Sequence, residues 1–221
     1  VETVPQLFLG IRLQCAECHD HPFDVWTQAN YRSMTEFFGQ LGSKEGPIDP
    51  YGREIRRFVK PESRVPWKAK DRVELVHLDG SRVSVPVASD RRDALVDWMF
   101  GPGRRLTARA IVNRVWGWML GRGIVHPVDD MRFSNPPVNE PLLAALADDL
   151  VAHRWDLKHL VRTIARSRTY QQSSIPNESN RNEHDNFSHA ALRRLSAEQL
   201  ADSVSRATGI DEPYRVGPPG L

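Results

Sequence analysis

Apolar residues recur along the chain with periods that mark most of its elements. In PQLFLGIRLQC, Leu7, Phe8, Ile11 and Cys15 fall at helical spacing. This predicts a helix from about Pro5 into Gln14, with Pro5 tolerated in the first turn. Tyr31, Met34, Phe37 and Phe38 form one stripe, which predicts a second helix from Thr27 to about Gly39. From Gly42 to about Lys70, Gly, Pro and charge dominate, and an irregular chain is expected. RVELVHL and RVSVPVA then alternate on either side of Asp79-Gly80, a strong hairpin pattern. Pro86 suits an edge strand.

The remainder reads as helix. Ser89 or Asp90 is placed to cap a helix ending at Phe100 before GPG, and Thr107 to cap the next. That second helix turns Ile111, Val112, Val115, Trp116, Met119 and Leu120 inward and stops at Gly121. After a polar loop comes LLAALADDLVAH. Asp156 then heads LKHLVRTIARSRTY, and Ser196 with Gln199 forms a capping box before LSAEQLADSVSRATG, which Gly209 ends. The expected fold is mainly α, with helical segments and a small β-hairpin insertion near residues 72–88. Three units follow: a helical end of a first domain at 1–45, an irregular and hairpin connector at 46–88, and a helical domain at 89–221.

Composition narrows the functional classes. With 40% hydrophobic and 26% charged residues, a chain of 221 residues can bury a real core. The net charge of +2 gives no strong global field, so neither nucleic acid nor an acidic membrane is an expected partner. No apolar run is long enough for a membrane span. The start at Val1, without a leader, and the end in VGPPGL are expected of a segment of a longer polypeptide.

Both cysteines lie in QCAECHDHPFDVW. Cys15-Ala16-Glu17-Cys18-His19 matches C-x-x-C-H, the c-type haem attachment pattern. Two thiols at this spacing can form thioethers with the porphyrin, and His19 follows as a nitrogen ligand for the iron. Met34, Met119, Met131 and His21 are sixth-ligand candidates by type. Zinc is the second reading: Cys15, Cys18, His19 and His21 are all legitimate ligands. Four ligands within seven residues would tie nothing together, however, so His77 or His126 would have to join them. A redox dithiol is the third reading, although here the pair follows a helix rather than starting one. The fourth is purely structural, with Asp20 and Asp24 as local caps and Pro22-Phe23 as a packed turn.

FLGIRLQCAECHDHPFDVWTQANYRSMTEFFG resembles the signature of a domain of unknown function abundant in planctomycete bacteria. DRRDALVDWMF, ARAIVNRVWGWMLGRGIVHPVDDMRFSNPP, LLAALADDLVAHRWDLKHLVRTIARSRTYQQSS and RRLSAEQLADSV resemble its usual C-terminal companion. The resemblance covers nearly the whole chain. It implies large exported polypeptides, often with a cytochrome-c domain upstream. An extracytoplasmic setting, a link to haem, and partners among the other domains of the same chain follow as expectations. It implies no reaction.

A second candidate site is the loop containing His126, Asp129, Asp130, Arg132 and Asn135, long and polar for a helix connection. Its histidine and carboxylates can bind a cation or act as acid and base in hydrolysis. The competing reading pairs Asp129 and Asp130 with Arg132 and Arg114 and makes Asn135 and Asn139 helix caps. Lys158, Arg162 and Arg166 form one basic face, read as solvated and paired with Asp148, Asp149 and Asp156. Arg193-Arg194 is read as an ion-pair site. Trp98, Trp116, Trp118 and Trp155 are expected in the core or lining a groove.

Overall fold

The computed structural model describes residues 1–44, 57–59, 72–183 and 185–210. The expected first helix is only a five-residue π-type turn, Pro5–Leu9. Gly10, at φ 69°, ends it by donating its N–H to the Pro5 carbonyl. Leu9, Ile11 and Leu13 are all buried, whereas Leu7 and Phe8 are each 45% exposed. That alternation has the period of extended chain, and it prevails over the helical period. A 3-10 turn, Gln14–Glu17, then carries Cys15, with Ala16 buried beneath it.

Helix α1 spans Gln28–Phe38. The Thr27 hydroxyl accepts from the Asn30 N–H at 3.3 Å, and the Asn30 side chain accepts from the Thr27 N–H at 2.9 Å. This reciprocal cap satisfies two helix-start donors, and Met34 and Phe37 are buried. A short antiparallel pair, β1 (Gly42–Lys44) with β2 (Arg57–Val59), corrects the expectation of wholly irregular chain there. Strands of three residues are too short to show an alternating pattern. Residues 45–56 and 60–71 of that stretch, and the VGPPGL end, lie outside the described residues.

The expected hairpin is β3 (Arg72–Val76) and β4 (Arg82–Pro86), antiparallel with Val73 opposite Val85 and Leu75 opposite Val83. Those four share one face, against α1 and α2. Gly80 takes φ 82° in the turn. Helix α2 spans Arg91–Phe100, capped by Asp90. Helix α3 runs Arg104–Leu120 from Gly103, not from Thr107. The Thr107 hydroxyl is buried and donates to the Met99 carbonyl at 2.8 Å, tying α3 to α2. At the other end, Gly121 is left-handed. Arg193 donates to the Trp118 carbonyl, and to that of Met119 at 2.6 Å, so it caps a helix where an ion pair was expected.

Helix α4 (Glu140–Ala152) is capped by Asn139, α5 (Leu157–Ala165) by Asp156, and α6 (Ala197–Thr208) by the Ser196–Gln199 box. The fold is mainly α with a small hairpin, and its apolar residues form two clusters. One joins Leu9, Ile11 and Leu13 to α1, the hairpin and α2; the other joins α3, Ile124 and Val125 to α4 and α5. The first therefore draws on all three sequence units. Trp98 and Trp116 are buried, whereas Trp118 is 68% exposed.

Gly10 sits where the N-terminal chain meets the polar loop. A Cβ there would lie 2.7 Å from the Met131 Cγ and Sδ atoms. Gly10→Ala is expected to lower stability by about 1–3 kcal/mol, from left-handed strain and this overlap. Urea unfolding checks it; an unchanged midpoint would show that neither matters.

Candidate functional site

Cys15 and Cys18 are free, exposed thiols. Cys15 lies in the 3-10 turn, and the N–H of Cys18 returns to the Cys15 carbonyl. The chain beyond is held by its own polar groups. Asp20 Oδ1 accepts from the Gln28 N–H at 2.8 Å, and Asp24 Oδ1 from the Val25 N–H at 2.8 Å, the local capping expected of them. Gln28 reaches back to donate to the carbonyls of Cys18, at 3.0 Å, and Glu17, at 3.3 Å. Nothing in the sequence singled out Gln28, because its partners are backbone atoms ten and eleven residues away. Phe23 is 65% exposed, so the Pro22-Phe23 turn is not packed.

The two histidines of the motif are held in opposite ways. His19 Nδ1 lies 2.7 Å from the Asp20 carbonyl. A carbonyl only accepts, so Nδ1 carries the proton and the lone pair of the neutral ring is on Nε2. His21 Nδ1 instead accepts from the Phe23 N–H at 3.2 Å, while the His21 N–H donates to the Trp26 carbonyl at 2.8 Å. His21 therefore closes a turn, and its neutral ring carries the proton on Nε2. Of the two neutral rings, His19 is the one whose unengaged nitrogen, Nε2, carries a lone pair.

The loop candidates are brought together, but as a clamp. Asp129 accepts from Arg12 at 2.6 Å and from the Gln6 amide at 2.5 Å. Asp130 is buried, 3.7 Å from Arg12 and 3.5 Å from Arg132. Arg132 is thus one expected partner. Arg114 is not: it donates at 3.4 Å to the Gln6 and Leu7 carbonyls. Asn135 caps no helix. Its amide donates to the Asp130 carbonyl at 2.8 Å and the His126 carbonyl at 3.2 Å, while Asn139 caps α4. His126 is exposed. The fully buried Asn113 donates to the Val125 and Val128 carbonyls and accepts from the Val125 N–H at 2.8 Å. It positions the start of the loop, yet in an apolar helix pattern it reads only as a break.

The loop also forms one wall of a cleft of about 300 Å³. Asp24, Trp26 and Arg109 line it together with Arg132, Phe133 and Asn135. The Ser134 hydroxyl donates to the Phe23 carbonyl at 3.0 Å, so loop and cysteine motif do meet. His126, Asp129 and Asp130 do not line the cleft. Among the described residues lining it there is no Ser, Cys or His, and Asp24 is its one carboxylate.

His77 is buried, stacked between Phe37 and Trp98 at 5.2 and 5.3 Å, with its nitrogens facing Ser81 and the Ala94 carbonyl. It is committed to the core rather than offered to the motif. Lys158, Arg162 and Arg166 are exposed, as expected. Asp149 pairs instead with His153 and His159, and Asp156 caps α5. Among the described residues, three side chains of metal-ligating type gather within 4.8 Å of one another at Asp149, His153 and His159, and not at the cysteine motif.

Burial alone would raise the Asp129 carboxyl, but the hydrogen bonds from Gln6 and Arg12 outweigh it and hold the group below the usual carboxylate range. A depressed carboxylate contributes stability above its unfolded pKa of about 4, and that stability is lost as pH falls through the folded value. Asp129→Asn should therefore cost about 1 kcal/mol at neutral pH, given that Arg12 is partly exposed, and should flatten the acid limb of the stability curve. Urea midpoints measured across acid pH test this; parallel curves for the two proteins would refute it.

Residues 91–220 match the family model PSD1, described as a protein of unknown function (DUF1553). Residues 1–43 match PSCyt2, also described as a protein of unknown function (DUF1549). No curated protein and no solved structure matches the chain. No described helix is long and apolar enough to cross a membrane. Since the first model spans more than half of the sequence, the chain belongs to the PSD1 family of planctomycete-type proteins, and it carries a PSCyt2 segment ahead of that domain.

Proposed function

We propose that the PSCyt2 segment is a c-type haem attachment site serving electron transfer, or redox support of a larger assembly, outside the cytoplasm. The observation that carries this reading is the tautomer of His19. Its Nδ1–H is held by a backbone carbonyl, leaving Nε2 free, which is how metal-ligating histidines are usually oriented. Two free, exposed thiols precede it at the required spacing. The donor set therefore fits: Cys15 and Cys18 would hold the group as thioethers, and His19 would offer Nε2 to its iron. When bound, such a group supplies one-electron transfer. Gln28 and Asp20 keep the motif's backbone in register for it.

Five clefts among the described residues are lined without Cys15, Cys18 or His19. Cover for the ring's apolar faces would therefore come from another surface, such as a further domain of the same polypeptide. A second reading rests on a different observation. The motif's backbone is held by hydrogen bonds with the side chains of Gln28, Asp20, Asp24 and His21. That favours a structural or interaction module, with zinc at the motif as its metal-bound form.

One experiment separates the readings. Production in an exporting host with c-type haem maturation should give protein that stains for haem on a denaturing gel. Cys15→Ser with Cys18→Ser should abolish the stain. Colourless wild-type protein that titrates as two free thiols would overturn the haem reading, and zinc bound in proportion to those thiols would support the second.

A further inference from the structure

We infer that Asp149, His153 and His159 form a binding site for a divalent first-row transition ion, separate from the cysteine motif. Asp149 lies in the last turn of α4, His153 is the residue that ends that helix, and His159 lies in the first turn of α5. His159 Nε2 is 2.8 Å from Asp149 Oδ2, and His153 Nδ1 is 3.2 Å from Asp149 Oδ1. A ligand atom from each of the three falls within 4.8 Å of the others. Zinc binds such donors at about 2.0–2.2 Å, so neighbouring ligand atoms in its shell lie about 3 Å apart. The site needs only a small opening to take the ion.

The connection between the helices creates the site. Arg154 and Trp155 are consecutive non-glycine residues with positive φ, 53° and 63°, a costly conformation. It is held by bonds from their N–H groups to the Val151 and Leu150 carbonyls and by Trp155 packing edge-on against Phe100. The result lays the His153 ring over His159, with centroids 3.7 Å apart and planes at 16°. His153 Nδ1 also lies 2.9 Å from the Asp149 carbonyl, so a bound ion would replace ring protons now facing Asp149 oxygens. The side chains of Asp149, His153 and His159 are 33%, 49% and 28% exposed, so an ion can enter and water can complete its shell.

Two imidazoles and one carboxylate suit zinc, nickel or copper rather than magnesium or calcium, which prefer oxygen sets. Zinc is the probe. The Cys15→Ser, Cys18→Ser form of the whole chain, titrated calorimetrically, should bind one zinc ion and unfold at a higher temperature with zinc present. Asp149→Asn or His159→Gln should weaken binding about tenfold or more, and magnesium should not compete. His153→Gln, at the most exposed of the three positions, supplies a variant that retains the fold, verified by circular dichroism, and should show the same loss. Absence of saturable zinc binding in the cysteine-free form, unchanged affinity in these variants, or equal competition by magnesium would each overturn the assignment.

Discussion

Asp129 accepts hydrogen bonds from Gln6 and Arg12, and beside it the Met131 N–H donates to the Gly10 carbonyl at 2.8 Å. Through this joint the PSCyt2 segment is fastened to the PSD1 domain, and much else follows from it. It brings Leu9 and Ile11 into one cleft with Met131, Arg132 and Phe133. It sets the cysteine motif beside that loop, where Ser134 meets the Phe23 carbonyl. The joint combines charge-assisted hydrogen bonds with a backbone bond at a glycine too closely approached to carry a side chain. Two sequence families are thus tied by this pair, with Arg91–Glu36 at 3.3 Å as another between them.

Much of the architecture was legible in the sequence because it rests on local chemistry. Thr27, Asp90, Asn139, Asp156 and Ser196 cap the helices they precede, and Asp79-Gly80 turns the hairpin. The misreadings have definite physical causes. Leu7 and Phe8 drew the N-terminal reading toward a helical period, whereas Leu9, Ile11 and Leu13 carry the buried alternation. Thr107 has the right side chain for a cap, but its hydroxyl was already committed to Met99. The partners of Asp129 lie more than a hundred residues away, beyond any local pattern. The Asp149, His153, His159 cluster was hidden for another reason: only a turn with two left-handed residues makes its members neighbours, and neither Arg nor Trp announces that conformation.

The candidate site shows the same division. The spacing of Cys15, Cys18 and His19 can be read directly, but the different roles of His19 and His21 cannot. The two rings are separated by one residue and differ in what faces Nδ1, an acceptor in one case and a donor in the other. Hydrogen-bond direction therefore divides the work between two identical side chains, one holding the backbone and one left available. The division depends on the Asp20–Trp26 turn rather than on either ring.

Asn113 shows what such an arrangement demands of a core. It lies fully buried among the apolar residues of α3 and satisfies two carbonyls and one N–H of the segment that opens the loop. A leucine there would perfect the hydrophobic stripe and leave those three groups without water or partner. Greasiness and order are opposed at this position: a more oil-like interior would free the loop that carries Asp129, and with it the seam between the two families.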